Sequence, residues 1–549
     1  MKHTVQRTGT ILLAALMIFS LAACKEETGE GAVISYAIDA APERLDPAIA
    51  ESTSELMIIG NAFEGLVRQI IDETGSARIA PGAAESWDIS PDGRVYTFHL
   101  RNNTHWRLHA DARKILGSKD AAEAFDTYVT AGDFIFGLRR ALNPATNSSG
   151  ATILYPIENA REIHAGELPP DRLGVKEINP LMLEITLAQP NDMFLYALTQ
   201  SAAMPCNRAY FEATKGRYGL GAEYLLCNGP FFVQWTGDTL QRLRRNESYA
   251  GERAVLPSAV ELRVFEDYAE RLQKLGAEAG LDIAAVPAGV ISAGLDFSPE
   301  ELGPQLQNGT ISLLFNCSRL SDVNIRTAMC AALSYEALEL APLGVLPEHV
   351  QVGGRQLNEL APVQPGIAHN PDRARKLLLE AETSAAQPAL VAPLALICAP
   401  EHEQLFKNAL QKWQSLFGLR LNANIEALEA DELASRLRQG EYDAAIAELR
   451  ASSSSALQTM QEFASPGAGN PMRYQSDILN ELLQGAAQMG SAAEAAKAIR
   501  QAEAHLLQNG AVYPLMPSSG RLVMVEGVNG LEISPVGDQV FFGRVTKID

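Results

Sequence analysis

The chain contains no Gly-x-Ser-x-Gly, His-Glu-x-x-His, Cys-x-x-Cys or Gly-x-x-x-x-Gly-Lys. The common nucleophile-elbow, zinc-hydrolase, dithiol and phosphate-cradling arrangements are therefore missing. A triad assembled from distant residues leaves no local trace, so turnover stays an alternative, although nothing points to it. Positive charge is also scarce: 45 Lys and Arg stand against 66 Asp and Glu, a net charge of -21. Nucleic acid is excluded as the expected partner, because its phosphates demand clustered cations. No apolar run is long enough to span a bilayer, and no cofactor motif is present. Cysteine is sparse, with 6 in 549 residues.

What is present begins with a leader. Lys2 and Arg7 precede an apolar run from Ile11 to Ala23, and the pattern is that of an export signal. Leu21-Ala22-Ala23-Cys24 resembles a bacterial lipobox, which implies cleavage before a lipidated Cys24 and a membrane anchor. A plain secretory signal that happens to hold a Cys is the alternative. Removal of residues 1–23 takes away Lys2 and Arg7 and no acid, so the mature charge becomes -23. Residues 24–31 read as a polar tether.

Pro81 to Arg101 organises the rest. Trp87, Ile89, Val95, Phe98 and Leu100 flank Pro91-Asp92-Gly93, and apolar segments about a turn predict a β-hairpin. Its words, Ala-Glu-Ser-Trp, Asp-Gly and Val-Tyr-Thr-Phe-His-Leu-Arg, resemble the signature hairpin of family 5 extracellular solute-binding proteins, the peptide and nickel receptors of ABC importers. The signature's second piece resembles Val129 to Arg140, displaced by an insertion from Arg107 to Tyr128. Cys227-Asn228-Gly229-Pro230-Phe231, Gly280-Leu281-Asp282-Ile283, Asp322 to Ala328 and Tyr513-Pro514-Leu515 continue the resemblance in order.

Local patterns add elements. Ala32 to Ile38 reads as a strand, and Ser54 to Phe63 as a helix with Gly65 as its cap. Asp322 and Asn370-Pro371 open helices. Leu405, Phe406, Ala409, Leu410, Trp413, Leu416 and Phe417 recur at helical spacing and form a core stripe, stopped by Gly418. Strand, helix and strand across Leu419 to Ile425, Asp431 to Gln439 and Asp443 to Leu449 predict a parallel pair and an α/β lobe.

The resemblance implies a type II, cluster C, periplasmic-binding-protein-like α/β fold: two hinged lobes with an extra smaller domain. Lobe I is expected at 32–65, 186–286 and 508–549, the extra domain II at 66–185, and lobe III at 287–507. By position in the family, the cleft draws on Pro42, Arg44, Leu45, Phe63, Glu64, Asn228, Gly229, Glu448, Arg450, Ser452 and Tyr513. The oligopeptide receptors' Trp and α-amino-binding Asp are absent near Ala447 to Ser452. Glu448 then takes that duty or the ligand lacks the group, and Arg450 is suited to a carboxylate or to a rim salt bridge.

Five cysteines remain after Cys24. Cys206 and Cys227 are expected to pair, a bond worth about 3 kcal/mol by loop closure, with the unpaired state open; Cys317, Cys330 and Cys398 are unassigned. His105 and His109, four apart and followed by Asp111, would share one face of a helix and are the weak metal candidates; an exposed loop is the alternative. The expected protein is a monomeric, non-enzymatic, lipid-anchored receptor on the extracytoplasmic face of the membrane. It delivers peptides or peptide-sized solutes to an ABC permease and its ATPases. A nickel or chelate receptor, and a sensor uncoupled from import, are the rival readings.

Overall fold

The computed structural model describes residues 31–71, 77–265, 268–276, 280–287, 301–334, 343–385, 393–418, 421–451, 453–464, 470–534 and 539–548. Cys24, the leader, most of the tether and Ser452 lie outside them.

Strand β1 (Val33–Ile38) is followed by a helix, Thr53–Ala62. Ser52 accepts from the Glu55 amide, and the Glu55 carboxylate returns to the Ser52 amide at 3.1 Å, a capping box. The same carboxylate takes the Glu43 and Arg44 amides at 3.0 and 2.9 Å, fixing the Pro42–Leu45 loop to the helix start. Phe63, not Gly65, is the C-cap. Gly65 is instead held by packing, because a Cβ there would lie 3.1 and 3.2 Å from the Val67 and Leu198 carbonyl oxygens.

A hairpin of β2 (Val67–Ile71) and β3 (Ala77–Pro81) leads into β4 (Ala84–Ile89) and β5 (Val95–Leu100), joined by the expected turn. With β6 (Val175–Asn179) and β7 (Met182–Thr186) they form an antiparallel sheet of order β4-β5-β7-β6. Trp87 stands opposite Phe98, and the buried side of β5 is Tyr96, Phe98 and Leu100. Ile89, the apolar position nearest the turn, is 48% exposed at the strand end.

Further strands are β8 (Phe231–Thr236), β9 (Leu240–Arg245), β10 (Ala259–Val264), β11 (Ile283–Pro287), β12 (Leu302–Phe315), the short pair β13 (Gln351–Val352) and β14 (Arg355–Gln356), β15 (Leu394–Cys398), β16 (Ala423–Ala427), β17 (Ala444–Arg450) and β18 (Val512–Met524), followed among the described residues by four two-residue strands near the C-terminus. Ten strands form one mixed sheet of order β16-β15-β17-β12-β18-β11-β1-β10-β9-β8. Both β16 and β17 run parallel to β15, which separates them, so the expected parallel pair is not adjacent. Asp322 caps the helix Val323–Ala331 through the Asn324 amide at 2.7 Å, and Asn370 caps Pro371–Ala385 through Arg373 at 2.9 Å. In the helix Glu403–Phe417, Trp413 is fully buried and donates to the Met329 carbonyl at 2.8 Å, a core role.

Buried apolar side chains divide the sheet. One cluster runs from Ile34 to Leu306 and takes in Leu522 to Val545; it includes Tyr96, Phe98 and Phe134, so the four-stranded sheet shares its core. Two others lie between Leu313 and Leu515. Strand β12 contributes Leu306 to the first half and Leu313 to Phe315 to the second; β18 contributes Leu522 to the first and Val512 to Leu515 to the second. Their pairing is interrupted by three register shifts, between Leu302 and Gln305, Leu306 and Gly309, and Ile311 and Ser312. Bulges add local twist and bend, so these two strands cross between the halves through an irregular ladder.

Candidate functional site: the cleft between the halves

Two adjoining cavities lie between the halves. The first, about 730 Å³, is walled by Ile153, Asn191, Met193 and Tyr196 on one side and by Gln351 to Gly354, Ser454, Ser455 and Ile499 on the other. Among the described residues no charged side chain lines it. The second, about 650 Å³, is walled by Phe63, Arg68, Arg253 and Phe541 and touched by Ser453. Gln69 and Gln200 line both and mark the junction.

Gln69, on β2, is 6% exposed, and its amide nitrogen has no hydrogen-bond partner among the described residues. A buried donor left unsatisfied costs about 1–3 kcal/mol, so this atom stands ready for an acceptor. It had no local signature in the sequence: Val67 to Ile71 is an ordinary strand pattern, and only the opposing wall makes Gln69 central.

Among the residues expected at the cleft, Phe63 lines the second cavity. Glu64 lies directly behind it, 2% exposed, accepting from the Tyr249 hydroxyl at 2.8 Å and facing Arg68 and Arg253 at 3.8 Å each. Burial, and then the Glu64 charge, push the Tyr249 phenol far above its usual range. Asn228 accepts from the Glu64 amide at 3.0 Å and donates to its carbonyl at 2.9 Å. Gly229 allows that approach, for a Cβ there would stand 2.6 Å from the Ala62 carbonyl carbon. These residues are brought together as the wall's support. Pro42 is half-buried, Arg44 is exposed, Leu45 is 1% exposed in the core, and Tyr513 is 3% exposed within a cluster of the second half; none lines either cavity.

Glu448 and Arg450 lie on β17, paired with Ile311 and Gly309 of the crossing strand β12. Arg450 meets Asp39 at 3.0 Å and Glu448 at 3.2 Å; Asp39 is also met by Arg271 at 2.6 Å, and Glu448 accepts from Ser518 at 2.5 Å. Asp39 and Arg271 belong to the first half and Arg450 to the second, so this chain of charges bridges them. Burial works to raise the Asp39 pKa, but Arg450 and Arg271 outweigh it and hold the carboxyl below its ordinary value.

A second seam, built largely on backbone groups, joins the halves elsewhere. The Asp192 amide donates to the Gly490 carbonyl at 2.8 Å, Asn191 donates to Met489 at 3.2 Å, and the Asp192 carboxylate accepts from the Ala492 amide at 3.1 Å, at the start of the helix Ala492–Gln508. Beside it Gly354, at φ +76°, lies so close to the Tyr196 ring that any Cβ would overlap it.

Two expectations meet a different geometry. Cys206 and Cys227 are free buried thiols, not a disulfide. Each has its own surroundings: the Cys206 sulfur lies 3.8 Å from Arg140 beside Tyr218, while Cys227 faces the Val233 amide. Burial pushes both thiols up to about 12. His105 and His109 do not share a helical face. His105 meets Thr127 at 3.2 Å, whereas both ring nitrogens of His109 are taken, by the Gln234 carbonyl and the Asp111 amide at 3.1 Å each. Among the described residues no group of three or more His, Cys, Asp or Glu is placed to hold a metal ion.

Residues 78–471 match the family described as bacterial extracellular solute-binding proteins, family 5 Middle. The periplasmic oligopeptide-binding protein OppA of Salmonella typhimurium is 24% identical over 485 residues, 86% of this chain and 84% of the relative. A dipeptide-binding protein of Lactococcus lactis subsp. cremoris is 28% identical over 264 residues, 47% of this chain and 44% of the relative. The structure of Listeria monocytogenes OppA bound to peptide superposes with a TM-score of 0.72 at 19% identity, covering 94% of this chain and 99% of that one. The fold is accordingly that of the type II periplasmic binding proteins. With a family match from residue 78 to 471 and a cleft between two joined halves, the chain belongs to family 5 of the bacterial extracellular solute-binding proteins and is a binding protein, not an enzyme.

Proposed function

We propose that this protein captures peptides between its two halves and delivers them to the permease and ATPases of an ABC importer, held at the extracytoplasmic face by a lipid on Cys24. The observation that carries the peptide reading is the unpartnered Gln69 amide at the junction of the two cavities. A peptide carbonyl placed there satisfies the buried donor, and a backbone contact of this kind gives affinity without reading side chains. The peptide specificities in the names of the two relatives support the same class of ligand. Ligand binding then selects the closed arrangement of a clamp whose halves are linked by β12 and β18.

The test is calorimetric titration of ligand-stripped protein with short peptides, with Ni²⁺ and with chelated nickel. Peptides are expected to bind, and Gln69→Leu to weaken them about tenfold, the worth of one hydrogen bond in a dry site. Binding of nickel in place of peptides would overturn the reading. Import is tested separately, by peptide uptake in cells carrying the permease with and without this protein.

A further inference from the structure

A groove of about 1190 Å³ lies outside the cleft, on the β8–β9 end of the large sheet. Its floor follows from strand alternation. On β9, Leu240, Arg242 and Arg244 share a face, and Phe232 and Trp235 of β8 stand opposite Arg244 and Arg242. The inserted segment Arg107 to Ala110 forms the wall, fixed by the Arg107 amide on the Cys227 carbonyl at 2.7 Å and by His109 on Gln234 at 3.1 Å. The Arg107 guanidinium stacks 4.9 Å over the Phe232 ring. Trp235 is 60% exposed.

In a chain of charge -21 this is an inverted patch, because three arginines and no carboxylate line it. Among the described residues neither Arg107 nor Arg244 has a carboxylate at ion-pair distance; Glu261 lies 3.9 Å from Arg242 but 2.9 Å from Arg263, and Asp111 is taken by Lys114 at 2.6 Å. The groove is also next to the point where the chain leaves for its N-terminus. Val33 pairs with Ala259, and Ala259 pairs with Arg244, so Val33 lies two strand spacings, roughly 10 Å, from Arg244. Residues 24–31 reach at most about 28 Å when extended, so an anchor at Cys24 keeps this end of the sheet near the bilayer.

We propose that the Arg107–Arg242–Arg244 groove with Trp235 docks on the phosphate headgroups of anionic phospholipid, orienting the receptor on its own membrane. Guanidinium groups pair with phosphates in forked geometry, and an indole beside them suits the headgroup layer. The remaining negative charge of the protein is screened beyond about 10 Å, so a local patch decides the contact. The membrane setting rests on the proposed lipidation of Cys24, which mass spectrometry of the exported protein checks independently.

The experiment uses the unlipidated chain from Lys25, which retains every described residue, in flotation with vesicles of phosphatidylcholine with or without phosphatidylglycerol. Binding is expected only with phosphatidylglycerol and is expected to fall with salt. The Arg107→Gln/Arg244→Gln double variant should lower the partition coefficient about thirtyfold, at roughly a fivefold loss per arginine near a charged surface. Trp235→Ala should weaken binding on its own, while both variants keep wild-type melting and peptide affinity. Equal binding to both vesicles, or wild-type binding by the double variant, overturns the proposal. So does displacement from vesicles by millimolar inorganic phosphate, which would make the groove a small-anion site, or capture of an acidic protein in place of lipid.

Discussion

The two seams that join the halves are built from different materials. Near the crossing strands, Arg450, Asp39, Arg271 and Glu448 join the halves through charges, and the Arg450 and Asp39 side chains are 39% and 52% exposed. At the other seam, Asn191 and Asp192 meet residues 489–492 largely through backbone groups, with Gly354 pressed on Tyr196. Exposed pairs of the first kind are worth at most about 1 kcal/mol and weaken in salt. Close steric fit is far less forgiving, so the seam at Asn191 and Asp192 should govern how completely the clamp closes, while the ion-paired seam trims the balance.

The sharpest break in that contrast is Gly354→Leu. A side chain driven into the Tyr196 ring costs about 1–3 kcal/mol, so peptide affinity should fall some ten- to hundredfold. Small-angle scattering should show loss of compaction with ligand. Next comes Asp192→Ala, which removes an acceptor at the first turn of the helix Ala492–Gln508; about 1 kcal/mol is expected, a fivefold weaker complex by calorimetry. The smallest effect belongs to Arg450→Gln, no more than a few-fold in affinity and vanishing in high salt.

Acid extends the comparison. The folded Asp39 pKa lies below the ordinary 3.8, so its contribution to closure is present above that value and is lost as pH falls through the lower folded value. A closed-state population followed from neutral pH downward should therefore be flat until about pH 4, and Arg450→Gln should flatten the remaining decline. The thiols supply an independent check on the core: the buried Cys206, Cys227, Cys330 and Cys398 should resist alkylation in the native protein, the half-buried Cys317 should react before them, and all five should react as free thiols on unfolding without reductant.

How much was legible follows the distance over which each feature is encoded. The hairpin about Pro91-Asp92-Gly93, the Asp322 and Asn370 caps and the helical stripe ending at Gly418 depend on neighbours within a few residues, and all are present. Gly65 misled because a glycine after a helix usually caps it, whereas here backbone packing from Leu198 requires it. The Cys206–Cys227 pairing misled because a short separation says nothing of which way two sulfurs point. Arg450 was expected to meet a ligand carboxylate or to form a rim salt bridge; its ion-pair partner Asp39 is 411 residues away, beyond any local pattern.

Family motifs, α/β character and the residues that begin and end the elements are written in short stretches of the chain, because turns, caps and periodicity act locally. The insertion of β15 between β16 and β17, the opposing wall that leaves the Gln69 amide without a partner among the described residues, and the inserted loop that closes a groove of arginines beside the first strand came from long-range packing. Those facts depend on which distant surfaces meet, and the free energy that selects such contacts is a property of the packed chain as a whole.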